Sequence, residues 1–255
     1  MQRIRYQDAN GVRWGELDGG TVYGLEHLLG PRDGSQQMVS DVTVLAPCEP
    51  KNIVCVGKNY AKHIQEMGGG DLPKEPGLFL KGLNTLANPG DPIPYPDWTD
   101  ELHYEGELVV VVGRTIRNVT EDKVLEHVLG YTCACDVTAR DKQRSDLQWV
   151  RAKSADGFCP LGPWLETDLD TSALSVQTRV NGELKQDGNT RDLIFSVPKI
   201  LSYISSFMTL NPGDVVLTGT PDGVGPLQPG DRVEVSVEGI GTLTNVVAEA
   251  ATAAR

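Results

Sequence analysis

One apolar run in this chain begins with charges that a buried strand normally avoids. The segment HYEGE at 103–107 leads directly into a leucine and four consecutive valines at 108–112. A continuous β-branched run of this kind predicts a strand that is buried on both faces. Glu105 and Glu107 are two residues apart, so in a strand their side chains leave the same face. The fold must therefore place two adjacent carboxylates at the mouth of a buried strand.

Two such carboxylates are costly without a partner, because each loses hydration and the two repel one another. A divalent cation removes both penalties, and the alternative is an edge strand on which both groups are solvated. Asp136 follows a second apolar run at 131–135, so three acids stand at the ends of apolar segments. Three oxygen ligands without clustered His or Cys select a hard cation, Mg²⁺ or Mn²⁺, whereas Ca²⁺ usually takes more protein oxygens.

Turn-forming residues divide the rest of the chain into short segments. The 28 glycines and 16 prolines favour many short strands over long helices. Residues 1–47 predict a small β module, which a proline-containing connector separates from a domain at 48–255. Helices are predicted at 59–67, at 120–130 with Thr120 as N-cap and Gly130 just past the end, and at 197–208. The predicted fold class is α+β, dominated by strands.

The composition excludes several classes of partner. A formal net charge of −12 repels phosphate backbones, so no nucleic-acid partner is expected, and an anionic substrate would need a local cation. No stretch approaches the ~18 apolar residues of a membrane span. No membrane partner is therefore expected, and the expected location is the cytoplasm. The five cysteines form no CxxC pair and are expected to be reduced thiols, with Cys133 and Cys135 in the core.

Four further positions could contribute to a metal site. His63 and Glu66 are adjacent on one helical turn, where a carboxylate would orient the imidazole and raise its basicity, although exposed pairs of this kind are common. Lys153 could counter the residual negative charge, or it could be an ordinary surface lysine. His103 could contact the carboxylates, or it could stand partly exposed before the strand. The glycine-rich segment 219–225 lacks the Lys-Ser/Thr of a P-loop, so it is expected to connect strands rather than bind phosphate.

Six segments together resemble the fumarylacetoacetate hydrolase family. They are GKNYAKHIQEM (57–67), HYEGELVVVVG (103–113), GYTCACDVTARDKQ (130–143), RAKSADGFCPLGPW (151–164), VNGELKQDGNTRDLIFSV (180–197) and FMTLNPGDVVLTGTPDGVG (207–225). They occur in the family's order and cover most of the chain. The resemblance implies a mixed β-sandwich roll, a homodimer, and a small N-terminal β module like that of many bacterial members. The chain has Lys-Gly at 81–82, where members commonly have Lys-Pro.

The resemblance also implies roles for individual residues. It makes Glu105, Glu107 and Asp136 the metal ligands. His63 and Glu66 match a dyad that orders with a lid and positions water, and Lys153 matches a lysine near the metal. The positions that match substrate-contacting residues are Arg140, Gln143, Thr190 and Thr220.

These observations predict a metal-dependent enzyme that acts on small anionic 2-oxo acids through an enolate, whose charge the cation stabilises. If His63 activates water, the enzyme is a hydrolase that breaks a C–C bond of an acylpyruvate or fumarylpyruvate, and the intact His–Glu pair favours this outcome. Return of a proton to another carbon would instead give an isomerase of the 2-hydroxyhepta-2,4-diene-1,7-dioate type in aromatic catabolism. Decarboxylation or tautomerisation of oxaloacetate is a further outcome. The non-enzymatic alternative is a metal-bound binding protein.

Overall fold

The computed structural model describes residues 1–248, so the last seven positions of the predicted domain at 48–255 lie outside the described residues. The α+β class with predominant β-structure is confirmed. The α-helices of the described chain are α1 Ala61–Glu66, α2 Arg140–Ser145, α3 Val150–Lys153 and α4 Val197–Phe207. Short 3-10 helices lie at Val39–Asp41, Leu83–Thr85, Val124–His127 and Thr190–Asp192.

The strands are short, as the spacing of turn-forming residues predicts. They are β1 Gln2–Asp8, β2 Gly11–Asp18, β3 Thr21–Leu25, β4 Arg32–Met38, β5 Thr43–Leu45, β6 Ile53–Gly57, β7 Gly77–Lys81, β8 Leu86–Ala87, β9 Pro92–Ile93, β10 Leu102–Tyr104, β11 Gly106–Val112, β12 Val128–Cys135, β13 Thr138–Ala139, β14 Cys159–Glu166, β15 Ser175–Val180, β16 Glu183–Asn189, β17 Val215–Leu217, β18 Gly225–Pro226, β19 Arg232–Val237 and β20 Gly241–Val247.

Three sheets organise these strands. The largest has the order β4-β3-β2-β1-β14-β12-β11-β17-β6-β7, with β5 beside β1 and β8 beside β14. A second sheet has the order β16-β15-β19-β20-β9, and a third has the order β13-β10-β18. Strand β11 is antiparallel to both β12 and β17, and β17 is parallel to β6. The centre of the large sheet therefore gathers segments that are far apart in the sequence.

Strand β11 is buried on both faces, as its valine run predicts. Its even-numbered residues from Leu108 to Val112 belong to the larger core, which continues into α4 and the sheet of β15 and β19. Its odd-numbered valines belong to a second core on the opposite face. Gly106 begins the strand, and a Cβ there would overlap the hydroxyl of Thr178 on β15. Only glycine fits between the two glutamates, because the second sheet presses on the backbone at this point.

The strand predicted at 103–112 is divided in two. Strand β10 ends at Tyr104 and belongs to the three-stranded sheet, and β11 begins at Gly106, so Glu105 lies at the junction. The carbonyl oxygen of Glu105 accepts a hydrogen bond from the Asp136 backbone N at 2.8 Å. This bond fastens the junction to the end of β12.

The prediction of a helix at 120–130 is wrong. Only Val124–His127 is helical, as a 3-10 turn, and Gly130 lies within β12. Gly130 fits the pattern of a helix end, but a Cβ there would lie 2.5 Å from the Glu166 carbonyl oxygen. Glycine is therefore required at this position because β14 lies too close to β12 for a side chain.

The other two helix predictions are confirmed as α1 and α4. Helix α4 buries an apolar stripe that includes Ile200 and Ile204. Its N-terminus is capped by the Ser196 hydroxyl, which accepts a hydrogen bond from the Lys199 backbone N at 3.4 Å. Within residues 1–248, no helix is long and apolar enough to cross a membrane.

The first 47 residues extend the large sheet. Strand β1 pairs antiparallel with β14, with Gln2 opposite Glu166. Ile4, Tyr6 and Val22 form a small core of their own. The segment thus has a small hydrophobic core of its own, but its strands belong to the same sheet as those of the following residues. A domain boundary after residue 47 stays a prediction.

Candidate active site

Three carboxylates meet where β11 begins and β12 ends. The two strands are antiparallel with Gly106 opposite Cys135, so the residues just outside this pair, Glu105 and Asp136, are neighbours. One carboxylate oxygen from each of Glu105, Glu107 and Asp136 lies within 4.8 Å of the others. All three side chains are buried. The structure thus brings the three predicted metal ligands into one cluster.

Buried cations pair with two of these carboxylates. The Nζ of Lys153 lies 2.8 Å from Glu105 Oε2 and 2.7 Å from Asp136 Oδ2. The Nζ of Lys81 lies 2.5 Å from the other oxygen of Asp136, and Arg140 donates to Glu105. The cations are themselves buried. Lys153 is therefore a part of the cluster and no surface lysine.

The two glutamates differ in their electrostatic surroundings. Burial alone would raise the pKa of Glu105, but the Lys153 and Arg140 cations outweigh it and hold that pKa well below its usual range. Burial raises the pKa of Glu107 well above its usual value, and the charges of Asp136 and Glu105 raise it further. Negative charge is thus compensated at Glu105 and uncompensated at Glu107.

Glu107 is held by the backbone instead of a cation. Among the salt bridges of residues 1–248 there is none to Glu107, and its Oε2 accepts a hydrogen bond from the Gly219 backbone N at 2.6 Å. Gly219 has a φ of +102°, and a Cβ there would lie 2.8 Å from the Cβ of Asn59. The segment 219–225 thus connects strands, as expected, and its first glycine serves the carboxylate cluster.

The cluster fits a hard divalent cation. Two oxygens on opposite sides of Mg²⁺ are about 4 Å apart, so small side-chain movements would bring the three carboxylates to coordination distance. The cluster contains no His or Cys among the described residues, which disfavours zinc. A divalent ion would change the charge of the triad from −3 to −1. The added positive charge would relieve the repulsion at Glu107.

His63 and Glu66 form a pair on α1, as their spacing predicts. The Nδ1 of His63 lies 3.2 Å from Glu66 Oε2, and His63 is buried while the Glu66 side chain is 31% exposed. The other oxygen of Glu66 accepts a hydrogen bond from the Gly223 backbone N at 2.9 Å. Glu66 is therefore anchored to the loop after β17, and it can orient the imidazole so that Nε2 is left for a ligand.

The sequence predictions missed two buried amides that position these groups. The Asn59 side chain donates to the carbonyls of Phe195 and Thr218 and accepts from the Phe195 backbone N at 2.8 Å. It thereby fixes the start of α1. The Gln186 side chain accepts from the Gly106 backbone N at 2.9 Å and donates to the Thr220 hydroxyl at 2.8 Å. A polar residue at an inward position of a strand pattern is the available signal for Gln186.

A cavity of about 190 Å³ joins the carboxylate triad to His63. Its wall includes Phe79 and Trp149, whose ring centroids are 5.5 Å apart in an edge-to-face arrangement. Lys153 Nζ lies 5.0 Å from the centroid of the Phe79 ring. The cavity therefore combines a charged floor with an apolar wall, and its volume suits a small acid.

Three of the four predicted substrate-contacting residues line this cavity, namely Arg140, Gln143 and Thr220. Arg140 Nη1 donates to Gln143 Oε1 at 2.5 Å. Thr190 does not line it. Its hydroxyl instead accepts a hydrogen bond from the Leu174 backbone N at 2.7 Å, and it borders a different pocket.

His103 is buried, so of its two alternatives the partly exposed histidine is wrong. Its Nε2 lies 3.1 Å from Glu101 Oε1, and its Nδ1 accepts from Arg140 Nε at 3.4 Å. Burial and the Arg140 charge lower the pKa of His103. His103 therefore supports the arginine that contacts Glu105 and lies outside the carboxylate triad.

Comparison with protein families assigns the chain to a known family. The model for the fumarylacetoacetate (FAA) hydrolase C-terminal domain matches residues 52–248. The chain belongs to the fumarylacetoacetate hydrolase family. Members of this family are enzymes, either hydrolases or isomerases and tautomerases, and the chain is such an enzyme.

Relatives and solved structures extend the match over nearly the whole chain. Oxaloacetate tautomerase YisK of Bacillus subtilis is 41% identical over 223 residues, which cover 82% of this chain and 74% of that protein. The crystal structure of 2-hydroxyhepta-2,4-diene-1,7-dioate isomerase from Mycobacterium marinum is similar with a TM-score of 0.90 and 42% identity, covering 97% of this chain and 98% of that chain. A Mycobacterium abscessus protein has a TM-score of 0.91 and 46% identity, covering 98% and 100%.

Proposed function

We propose that this enzyme uses a divalent cation to interconvert tautomers or isomers of small 2-oxo dicarboxylic acids, with oxaloacetate as the first substrate to test. The observation that carries the metal-dependent enolate chemistry is the pairing of His63 with Glu66 on the same cavity as the triad of Glu105, Glu107 and Asp136. This pair serves proton transfer and water activation equally well, so the choice of tautomerisation or isomerisation over the expected hydrolysis rests on the relatives. The names of the relatives, an oxaloacetate tautomerase and a hydroxyheptadienedioate isomerase, support it.

The proposed cofactor is Mg²⁺, with Mn²⁺ as the alternative, because all three donors are carboxylate oxygens. Glu105, Glu107 and Asp136 would hold the ion. When bound, it supplies positive charge that stabilises the developing enolate of a 2-oxo acid. Lys153 lies against two of the ligands, so its ammonium adds a second positive charge beside the substrate's 2-oxo oxygen.

His63 is the proposed proton carrier. With Nδ1 held by Glu66, its Nε2 is free to take a proton from the carbon next to the 2-oxo group and to deliver that proton to the enolate oxygen, which gives the enol; the reverse transfer gives back the keto form. Glu66 stabilises the protonated imidazole, since it is a carboxylate 3.2 Å away. Phe79 and Trp149 form the apolar part of the cavity wall.

Hydrolytic cleavage of an acylpyruvate is the second candidate. The same His63–Glu66 pair would then activate a water molecule against the distal carbonyl, and an enolate would be the leaving group. This candidate needs room for a water molecule beside His63. The two candidates share the metal and the enolate, and they differ in what His63 deprotonates.

One substrate panel distinguishes the candidates. Oxaloacetate, acetylpyruvate, fumarylpyruvate and a 2-hydroxydienedioate are each followed by enol absorbance with Mg²⁺, with Mn²⁺ and with EDTA, and pyruvate release is measured in parallel. We expect rapid enol–keto conversion of oxaloacetate that EDTA abolishes and that releases no pyruvate. Turnover that is insensitive to the chelator contradicts the proposal, and turnover of the acylpyruvates alone replaces it with the hydrolase candidate.

We further propose that the chain forms a homodimer, as the family resemblance implies. The loop between α2 and α3 and the start of α3 expose large apolar side chains, with Leu147 96% and Val150 70% accessible. Strand β7 ends the large sheet and also exposes Leu80. Leu147 and Val150 are close together in the chain, and exposed large apolar side chains of this kind are typical of a protein interface.

A further inference from the structure

The cations that line the cavity are already paired with carboxylates of the protein, except one. Lys153 and Arg140 contact the triad, and Arg144 contacts Glu101. Lys58 also lines the cavity and is exposed. Within residues 1–248, Lys58 takes part in none of the salt bridges. Its ammonium is thus the cavity cation that is available to a ligand.

The backbone of Lys58 adopts a conformation that disfavours a lysine. Its φ is +57°, in the left-handed region that glycine and asparagine adopt much more readily. The neighbouring Asn59 is held by its side-chain hydrogen bonds to Phe195 and Thr218, which fix the backbone that follows Lys58. A residue with a side chain poorly suited to its backbone, placed at a cavity, indicates a functional role for that side chain.

The charge of the site explains what Lys58 could recognise. A 2-oxo acid that directs its first carboxylate and its oxo group towards the triad leaves its remaining carbons in the cavity. A second carboxylate there would meet either the apolar wall of Phe79 and Trp149 or a floor whose cations are already bonded to the carboxylate triad. Neither offers an unpaired positive charge, and the formal net charge of −12 gives no general attraction. A second carboxylate therefore needs a dedicated cation.

We propose that Lys58 binds the second carboxylate of the substrate and makes the enzyme selective for 2-oxo dicarboxylates over 2-oxo monocarboxylates. This inference rests on the proposed function, because it assumes that the first carboxylate and the oxo group lie at the triad. It adds a specificity-determining residue to the metal ligands and the His63–Glu66 pair.

A matched pair of ligands tests this inference by binding. 2-Oxopentanedioate and 2-oxopentanoate have the same chain length and differ in the second carboxylate. Their affinities are measured by calorimetry in saturating Mg²⁺ for the wild type and for Lys58→Asn, which removes the charge and tolerates a positive φ. We expect Lys58→Asn to weaken binding of the dicarboxylate about tenfold, which is about 1.4 kcal/mol, and to leave binding of the monocarboxylate unchanged.

Two control variants isolate the charge of Lys58. Lys58→Arg keeps the cation and is expected to retain the preference for the dicarboxylate. Lys62→Asn removes an exposed lysine on α1 that does not line the cavity, and it should behave as the wild type does. Equal affinity of the wild type for both ligands, or an equal loss for both in Lys58→Asn, would overturn the inference. A wild type that prefers the dicarboxylate but does not tautomerise oxaloacetate would instead refute the proposed function.

Discussion

Glu105→Gln and Glu107→Gln should affect the metal-free protein in different ways. Glu105 is bonded to Lys153 and Arg140, so its loss leaves two buried cations short of a partner, at a cost of about 3–5 kcal/mol of unfolding free energy. Glu107 has no cation partner in the described chain, and its pKa is raised by burial and by the two neighbouring carboxylates. A neutral amide at 107 still accepts from Gly219, so the expected change is at most about 1 kcal/mol in either direction.

The two variants should lose metal-dependent stabilisation to a similar extent, because each of them removes one proposed metal ligand. Urea unfolding is measured in EDTA and in Mg²⁺. A ligand at 100 times its Kd stabilises the folded protein by about 2.7 kcal/mol, and both variants should lose most of this gain. Glu183→Gln is the control, since that side chain is 72% exposed and should change stability by less than about 0.5 kcal/mol. Equal stability of the two triad variants in EDTA would refute the assignment of the cations to Glu105.

Three further variants test separate parts of the structure. His63→Ala should lower kcat by a factor of about 10²–10⁴ and keep the Mg²⁺-dependent stabilisation, because His63 lies outside the triad; loss of metal binding would contradict this. Burial raises the pKa of Cys133 to about 12, so the folded protein keeps a proton that the unfolded chain loses above about pH 9. The stabilisation from that thiol is complete below pH 9 and falls by about 1 kcal/mol per pH unit above it, so unfolding of Cys133→Ala should be less sensitive to a change from pH 8 to pH 10 than unfolding of the wild type. Leu147→Asp should shift the protein from dimer to monomer in light scattering, and an unchanged mass would exclude this surface from the interface.

The carboxylate triad could be predicted from the sequence because two simple patterns define it, namely alternation along a strand and an apolar run that ends in an acid. Alternation places Glu105 and Glu107 on one side, and the valine run that follows predicts double burial of the strand. Asp136 ends a second apolar run in the same manner. The sequence did not predict that β11 and β12 are antiparallel neighbours, but any arrangement that brings the two ends together gives the same cluster.

The counter-ions were less accessible to sequence reasoning, because they depend on contacts between distant segments. Lys81 ends the short strand β7, and only the fold places its ammonium beside Asp136. Lys153 looks like a surface lysine in a short polar segment, and the family resemblance alone indicated its role. The resemblance also indicated Thr190, which lies outside the cavity and accepts a hydrogen bond from the Leu174 backbone N, so its contact with substrate stays a prediction.

Glycine was the residue that misled the prediction of secondary structure. Gly130 follows an apolar pattern at helical spacing, so it resembles a helix end. In the structure it lies in β12, where the backbone of Glu166 leaves no room for a Cβ. The reason is a tertiary contact between two strands, and no local pattern in the sequence contains it.

The proposed function depends on coordination of one divalent ion by oxygens of Glu105, Glu107 and Asp136. The most direct measurement is a crystal of the protein grown with Mn²⁺, with data collected at a wavelength where manganese scatters anomalously. We expect a single strong anomalous peak within coordination distance of all three carboxylates, with Lys153 displaced little from Glu105 and Asp136. No peak at saturating Mn²⁺, or a peak bound by fewer than two of the three, would contradict the account.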